Sequence, residues 1–394
     1  MLYWTTQLQT LIMLFTTPKR RLQFVLLAAI IATAYIGTQN TWADNANKTL
    51  QIELQQEHIG GSIQVLLFDD AESFEDFSSP ARMERFPADG RQTITLDDIP
   101  AGEYALLVFH DENDNMQLDV NFIGIPSEPI GFSNEYRPRG APTFRNARFD
   151  FEPGETDPIQ MDLQRPLGDR GSIGVGAVVI TRGSPYARTR DNPLNVFPAV
   201  VYLGNRLQIL GPSLQLGLIG TGRRRLAGTI AYRQATFEAD DSPVLDGMRN
   251  RRATAMAGLR AQTSLVYGIN LAAEYNIDML NRIGGAEGRI SLSRSFPWER
   301  FRFNPSLTLN YIQPRLTRHD YGITPAEATD ERPAYRPGTA WNPEVGFSIF
   351  AEITPNIMGS IISSVEWFDS SIRRSPIVDD HYVIKATSFV VYMF

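Results

Sequence analysis

Between Asp111 and Asp119 oxygen-bearing side chains recur at alternate positions: Asp111, Asn113, Asn115, Gln117 and Asp119. That is the spacing by which a loop brings side-chain and carbonyl oxygens around a hard cation such as calcium. With Asp111 as the first position, Gln117 is the seventh, where the backbone carbonyl is the ligand, so a neutral side chain is acceptable there. Two positions depart from the pattern. Met116 stands sixth, where glycine is expected, and Phe122 stands twelfth, where a bidentate Glu would complete the shell. Glu128, returned by the Gly124-Ile125-Pro126 turn, is the nearby acid that would substitute. The set predicts a weak calcium site with Asp111 and Asp119 as its anionic ligands. The alternative is a run of Asx-turns in which the same side chains hydrogen-bond the backbone and hold no metal.

Other chemistry has little to work with. The four histidines are His58, His110, His319 and His381. His319-Asp320 has the base and the orienting acid of a nucleophilic site, but no nucleophile elbow accompanies it. No Gly-rich phosphate cradle and no His-x-x-x-His pair occurs, so nucleotide or zinc chemistry is not indicated. Cysteine is absent, which excludes thiolate sites and disulfides. Only three residues are Lys, and the Arg residues are dispersed without aromatic stacking partners, which argues against nucleic acid.

The loop follows an apolar run, Tyr104 to Phe109, and is preceded by alternating segments at Leu50–Leu54 and Gln92–Leu96 and by a strand-like run at Ser62–Phe68. These read as strands of a small β-sandwich over residues 44–165. That region carries 24 acidic and 9 basic side chains, whereas residues 166–394 carry 20 acidic and 25 basic. Such asymmetry marks two units, joined by a linker at 166–170. Ahead of both, Lys19-Arg20-Arg21, the apolar run Phe24–Ile36 and Thr41-Trp42-Ala43 form the pattern of a secretory signal, assigning 1–43 to export. The 13-residue apolar run is shorter than the roughly 20 residues a spanning helix needs.

From Gly171 onward the strands lengthen and their two faces differ. In Phe301–Tyr311 the odd positions are apolar or aromatic, except for Pro305, and the even ones are Arg302, Asn304, Ser306, Thr308 and Asn310. Tyr267–Ile277 and Leu226–Arg233 repeat the pattern. Soluble strands average about five or six residues and membrane-spanning ones about 9–11, so one face is expected to meet lipid. The fold expected is all-β: the sandwich followed, over 171–394, by an antiparallel transmembrane β-barrel. Candidate strands lie at 172–182, 195–203, 205–210, 213–219, 224–233, 253–263, 265–277, 287–296, 301–312, 343–353, 357–367 and 383–394. Closure in lipid calls for an even number, and ten or twelve both fit because the third and fourth are short. His319–Ala340 is expected to be an external loop. Arg233, Arg260, Arg289, Arg302, Glu274 and Glu352 fall on the inward face, where they could pair across a narrow lumen. Val390, Tyr392 and the final Phe394 share one face, an ending similar to the signal read by the barrel-assembly machinery.

Gly102-Glu103-Tyr104, His110-Asp111-Glu112-Asn113, Gly124-Ile125-Pro126, Gly131-Phe132-Ser133-Asn134 and Phe144–Phe149 resemble, in that order, the domain of unknown function 2141 over about 48–163. Over 171–394 the chain resembles the MipA/OmpV family. The carrying residues are Gly174–Val178 with Ser184-Pro185-Tyr186, Phe197-Pro198 before Tyr202, Asp320-Tyr321-Gly322-Ile323 with Ala326-Glu327-Ala328, Ser375-Pro376-Ile377-Val378, and Tyr392 with Phe394. The resemblance implies an outer-membrane barrel surrounded by lipid, its acidic domain in the periplasm, acting as a non-enzymatic scaffold or anchor for a periplasmic murein-processing protein. The alternatives are a small-solute channel and, behind it, an outer-membrane hydrolase.

Overall fold

The computed structural model describes residues 48–75, 77–121, 124–137, 142–152, 157–189, 194–220, 224–298, 300–354 and 356–394. The export signal expected at 1–43 lies outside them.

The N-terminal unit is built from β1 (Lys48–Leu54), β2 (Ile59–Phe68), α1 (Ala71–Glu75), β3 (Arg82–Asp89), β4 (Thr93–Ile99), β5 (Gly102–Asp111), β6 (Ile130–Phe132), α2 (Phe144–Ala147), β7 (Arg148–Phe151) and β8 (Ile159–Met161). Two sheets form, one ordered β4-β1-β8 and the other β3-β2-β5-β6 with β7 also paired to β5. Alternation explains their packing. Leu50, Ile52 and Leu54 of β1 and Ile94 and Leu96 of β4 meet Ile63, Val65, Leu67, Leu106 and Val108 of the second sheet. The opposite face of β2 and β5 is apolar too, with Leu66, Phe68, Leu107 and Phe109, and the short helices cover it with Phe74, Phe144 and Ala147. Because β2 and β5 are buried on both faces, they read as continuous apolar runs rather than alternating ones.

The barrel comprises β9 (Ser172–Arg182), β10 (Leu194–Leu203), β11 (Leu207–Leu210), β12 (Ser213–Ile219), β13 (Arg224–Arg233), β14 (Thr254–Ser264), β15 (Ile269–Asp278), β16 (Ala286–Arg294), β17 (Phe296–Trp298), β18 (Phe301–Ile312), α3 (Pro314–Tyr321), β19 (Ala340–Thr354), β20 (Ile357–Trp367), α4 (Ser370–Arg373) and β21 (Tyr382–Met393). Consecutive strands pair antiparallel, β21 returns to β9, and β16 pairs with β18, with β17 continuing β16 along β18 in the same register, so the ring closes at twelve strands. The short third and fourth strands are real. Gly211, with φ +57°, and Pro212 turn β11 back into β12 after four residues.

Closure removes every strand edge from lipid, and alternation sorts the side chains. On β18, Leu307 (59% exposed) and Leu309 (40%) face outward while Arg302, Asn304, Thr308 and Asn310 face the lumen. Aromatic side chains mark two levels, as interfacial girdles do. Tyr311 and Trp341 lie 4.9 Å apart at one, and Trp298, Phe301, Phe303 and Phe347 cluster at the other. The turns after β10 and β14, β9's start and the end of β21 share the second level. The long connections after β13, β18 and β20 share the first. No helix among the described residues is long and apolar enough to cross a membrane. This is the outer-membrane barrel form, with the N-terminal domain on the periplasmic side.

Candidate functional site

The Asp111 loop begins where β5 runs out of its β2 partner, at the pair Ser62↔Asp111. Gly61 makes room for it: a Cβ there would stand 2.1 Å from the Asp111 carbonyl oxygen, and φ is +71°. Asp111 is fully buried. Its carboxylate accepts the N–H groups of Asn115 (3.0 Å) and Met116 (2.7 Å) and the Gln64 amide (3.3 Å). Asn113 Oδ1 accepts Asn115 N–H at 3.1 Å, and Asn115 Oδ1 accepts Gln117 N–H at 2.7 Å. The two amide NH2 groups donate to Asp119, from Asn113 at 2.6 Å and from Asn115 at 3.0 Å. Met116 adopts φ +59°, the left-handed conformation for which glycine is preferred. The structure therefore gathers Asp111, Asn113, Asn115 and Asp119, while the Gln117 side chain is exposed and only its N–H takes part.

Glu128 returns behind this loop, almost wholly buried. Its oxygens accept Glu112 N–H at 3.1 Å and Asp119 N–H at 2.8 Å. Burial, reinforced by the charges of Asp119 and Asp111, pushes its pKa up to about 7 against those two hydrogen bonds. Asp114, outside the expected ligand set, is paired with Arg85 and accepts Ser62 Oγ at 2.7 Å. Among the described residues, no three His, Asp or Glu side chains are grouped as a metal-ligand set.

At the external end, the long connections fold into a cap with its own core of Tyr186, Phe237, Leu245, Tyr321, Phe368 and Ile372. The expected external loop after His319 is thus an ordered part of the wall. His319 Nδ1 lies 2.9 Å from Asp320, but that carboxylate also holds Arg233 at 2.6 Å, and His319 Nε2 accepts the Arg252 N–H at 3.3 Å. Neighbouring serines spend their hydroxyls on carbonyls: Ser375 on Tyr321 at 2.6 Å, and Ser371 on Thr339 at 3.1 Å. Glu327 and Arg251 form a second buried pair in the cap, 3.2 Å apart.

The inward wall beneath carries paired charges, those of Arg260, Glu274 and Arg289 on neighbouring strands. Arg233 reaches Glu287 at 3.2 Å, and Glu274 sits between Arg260 (3.4 Å) and Arg289 (4.0 Å). Arg302 and Glu352 also face inward, nearer the periplasmic end. A further network escaped the sequence reading: Lys385 bonds Glu344 at 2.9 Å and Glu366 at 2.6 Å, with Asn310 and Asn342 completing the two carboxylates. Its signal was Lys385, one of three lysines in the chain, on an inward position of the last strand.

The family described as MltA-interacting protein MipA matches residues 173–394, more than half of the chain. The chain belongs to the MipA family. Residues 52–158 match DUF2141, described as an uncharacterized protein conserved in bacteria. The 24 kDa outer membrane protein of Pasteurella multocida is 26% identical over 159 residues, 39% of this chain and 62% of that protein. Outer membrane protein OmpV of Vibrio cholerae is 25% identical over 160 residues, 40% of this chain and 61% of that protein. The chain thus spans about six-tenths of the length of these relatives. Among solved structures the NanC porin is 10% identical, aligned over 57% of this chain and all of that one with a TM-score of 0.28.

MipA-family motifs that lie far apart in sequence converge in the cap. The rings of Tyr186 and Tyr321 are 6.1 Å apart, and Tyr186 Oη donates to the Asp320 carbonyl at 3.3 Å. Ala187 N–H donates to the Ile377 carbonyl at 3.0 Å, and Tyr186 bridges to Val378. Ser184–Tyr186, Asp320–Ile323 and Ser375–Val378 are therefore one packed unit at the external end of this MipA-family barrel.

Proposed function

We propose that this MipA-family barrel is a non-enzymatic anchor, which holds a periplasmic murein-processing protein at the outer membrane through its periplasmic face. The observation that carries the reading is the filled barrel. A packed cap sits at the outer mouth, and the paired charges of Arg260, Glu274, Arg289, Lys385, Glu344 and Glu366, carried on neighbouring strands, line the inward face. Side chains held in such pairs project into the narrow lumen of a twelve-stranded barrel and, with the cap, oppose a solute path. The family's description as MltA-interacting supplies the class of partner. The test is in-cell photo-crosslinking from the periplasmic turn at Val266, which is 73% exposed. A lytic murein enzyme as the recurrent adduct is expected, and its absence from cells that express such enzymes sinks the reading. The second reading, a small-solute channel, is favoured by the aqueous character of the inward face and predicts conductance.

The Asp111 loop is proposed as a weak calcium position of the same domain. The gathering of Asp111, Asn113, Asn115 and Asp119 in one loop supports this, and the Asx-turns that Asn113 and Asn115 form with Asn115 N–H and Gln117 N–H are the competing, metal-free arrangement. Occupancy at roughly 10⁻⁴ to 10⁻³ M would suit an extracytoplasmic module. Calorimetric titration of the full chain with millimolar calcium, beside an Asp111→Ala/Asp119→Ala double variant, tests it. Identical heats leave the loop a hydrogen-bonded turn.

A further inference from the structure

The segment after the Asp111 loop leaves the sandwich and enters the barrel. Asn121, buried to 2% exposure, bonds its N–H to the Ile125 carbonyl at 2.9 Å and receives Ile125 N–H on its Oδ1 at 3.0 Å, which holds the two residues together. Its amide reaches across to the Gly204 carbonyl, in the turn between β10 and β11, at 3.3 Å. Its own carbonyl accepts Arg225, an inward residue at the periplasmic start of β13 that is itself only 7% exposed. Beside this polar contact, Ile125 and Leu167 pack on Val201, Leu203 and Val391, inward side chains of β10 and β21. On the other side a cavity of about 330 Å³ separates Asp119 and Glu128 from Arg206 of the turn after β10 and Gly217 of β12.

The connection between the two units is pinned rather than loose. Arg165 bonds the Ser127 carbonyl and Glu112 on the domain side. Tyr202 Oη donates to the Arg170 carbonyl at 2.8 Å on the barrel side. Gly171, at φ +76°, passes so close to β10 that a Cβ would stand 2.7 Å from the Leu203 carbonyl oxygen. A domain on a mobile tether would show none of these contacts. Buried polar groups are retained where they are satisfied, and Arg225 and Asn121 help to satisfy each other across this junction.

We propose that the N-terminal domain is the periplasmic stopper of its own barrel, with Asn121, Ile125 and Leu167 seated in a mouth formed by Val201, Leu203, Gly204 and Val391 and latched by Arg225. This goes beyond the anchoring role and does not depend on it. The surface left for a partner is then the outer flank of the domain and the remaining periplasmic turns, because the loop-bearing end is occupied.

The absence of cysteine allows a direct test in the full chain. Thr387, inward on β21 two positions before Phe389, is replaced by Cys and labelled in detergent with a polar maleimide. Val266→Cys, in an exposed periplasmic turn, supplies the unhindered rate. Slow labelling of Thr387→Cys is expected, rising about tenfold or more when Ile125→Asp and Leu167→Asp place charge in the apolar seat. Arg225→Ala, which leaves the domain sequence untouched, should raise it as well, and heat-modifiable migration confirms that each barrel is folded. Labelling of Thr387→Cys as fast as Val266→Cys in the unaltered background, or unchanged by both sets of substitutions, overturns the proposal.

Discussion

Glu327 is the keystone of the external cap, and its removal has a calculable cost. One carboxylate oxygen accepts Arg249 N–H at 3.1 Å and Arg251 Nη1 at 3.2 Å. The other accepts Thr324 N–H at 3.0 Å and Thr324 Oγ1 at 2.8 Å. The carboxylate side chain is 5% exposed and the Arg251 side chain 9%. Glu327→Ala strands two backbone donors at about 1 kcal/mol each and leaves Arg251 without its counter-charge, worth about 3 kcal/mol in a buried setting. Arg251 keeps its bond to the Gly322 carbonyl (3.0 Å) and its seat over Phe237, so the net loss is about 3–4 kcal/mol. Hydrogen exchange of the amides at 323–335 should then accelerate by roughly several hundredfold, at about 1.4 kcal/mol per decade. A pH arm follows from the same geometry. Burial alone would raise the Glu327 pKa, but the N–H groups of Arg249 and Thr324, with Arg251, bring it from 4.5 down to about 2. The native state binds the proton more weakly than the unfolded one, so this stabilisation is complete above pH 4.5 and is lost as pH falls from 4.5 toward 2. Exchange in the cap, corrected for intrinsic rates, should rise through that window in the natural protein and stay flat in Glu327→Gln. Exchange in Glu327→Ala within about threefold of the natural protein would refute the reasoning.

Other perturbations give separate readouts. Asp111→Ala strands the Asn115 and Met116 N–H groups and the Gln64 amide, and should lower the melting transition of the N-terminal domain by about 10 °C or more without altering barrel migration. Gly61→Ala should weaken the same domain by more than about 1 kcal/mol, since φ is +71° and the new Cβ collides with the Asp111 carbonyl; denaturant unfolding followed by exchange in β2 and β5 measures it. Deleting Phe394 removes a ring that is 74% exposed and contributes little to stability by burial, so a fall in the heat-modifiable fraction in cells with unchanged unfolding of assembled protein would locate its role in assembly.

Strand positions in the barrel were legible because lipid on one side and water on the other impose a strict period of two over a whole strand. Phe301–Ile312 and Ile357–Trp367 need no tertiary information to be recognised. The number of strands was not, because β11 owes its existence to the Gly211-Pro212 turn and to pairing with β10 rather than to its four residues. Inward positions of Arg233, Arg260, Arg289, Arg302, Glu274 and Glu352 followed from the same alternation, but partners did not. The Arg233–Asp320 pair joins residues 87 positions apart. His319-Asp320 read as a base with its orienting acid, and only the fold shows the acid held by Arg233. The Asp111 loop was visible as alternating oxygens, whereas the burial that raises Glu128 was not. The docking of Asn121 on Arg225, across 104 positions, left no local trace.

The claim that this barrel is a filled anchor is tested most directly by single-channel recording of the purified full chain in planar bilayers. The ion pairs around Glu274 and Lys385 and the closed cap predict insertion without stable conductance steps. Reproducible steps of fixed amplitude would contradict the account and make the protein a pore.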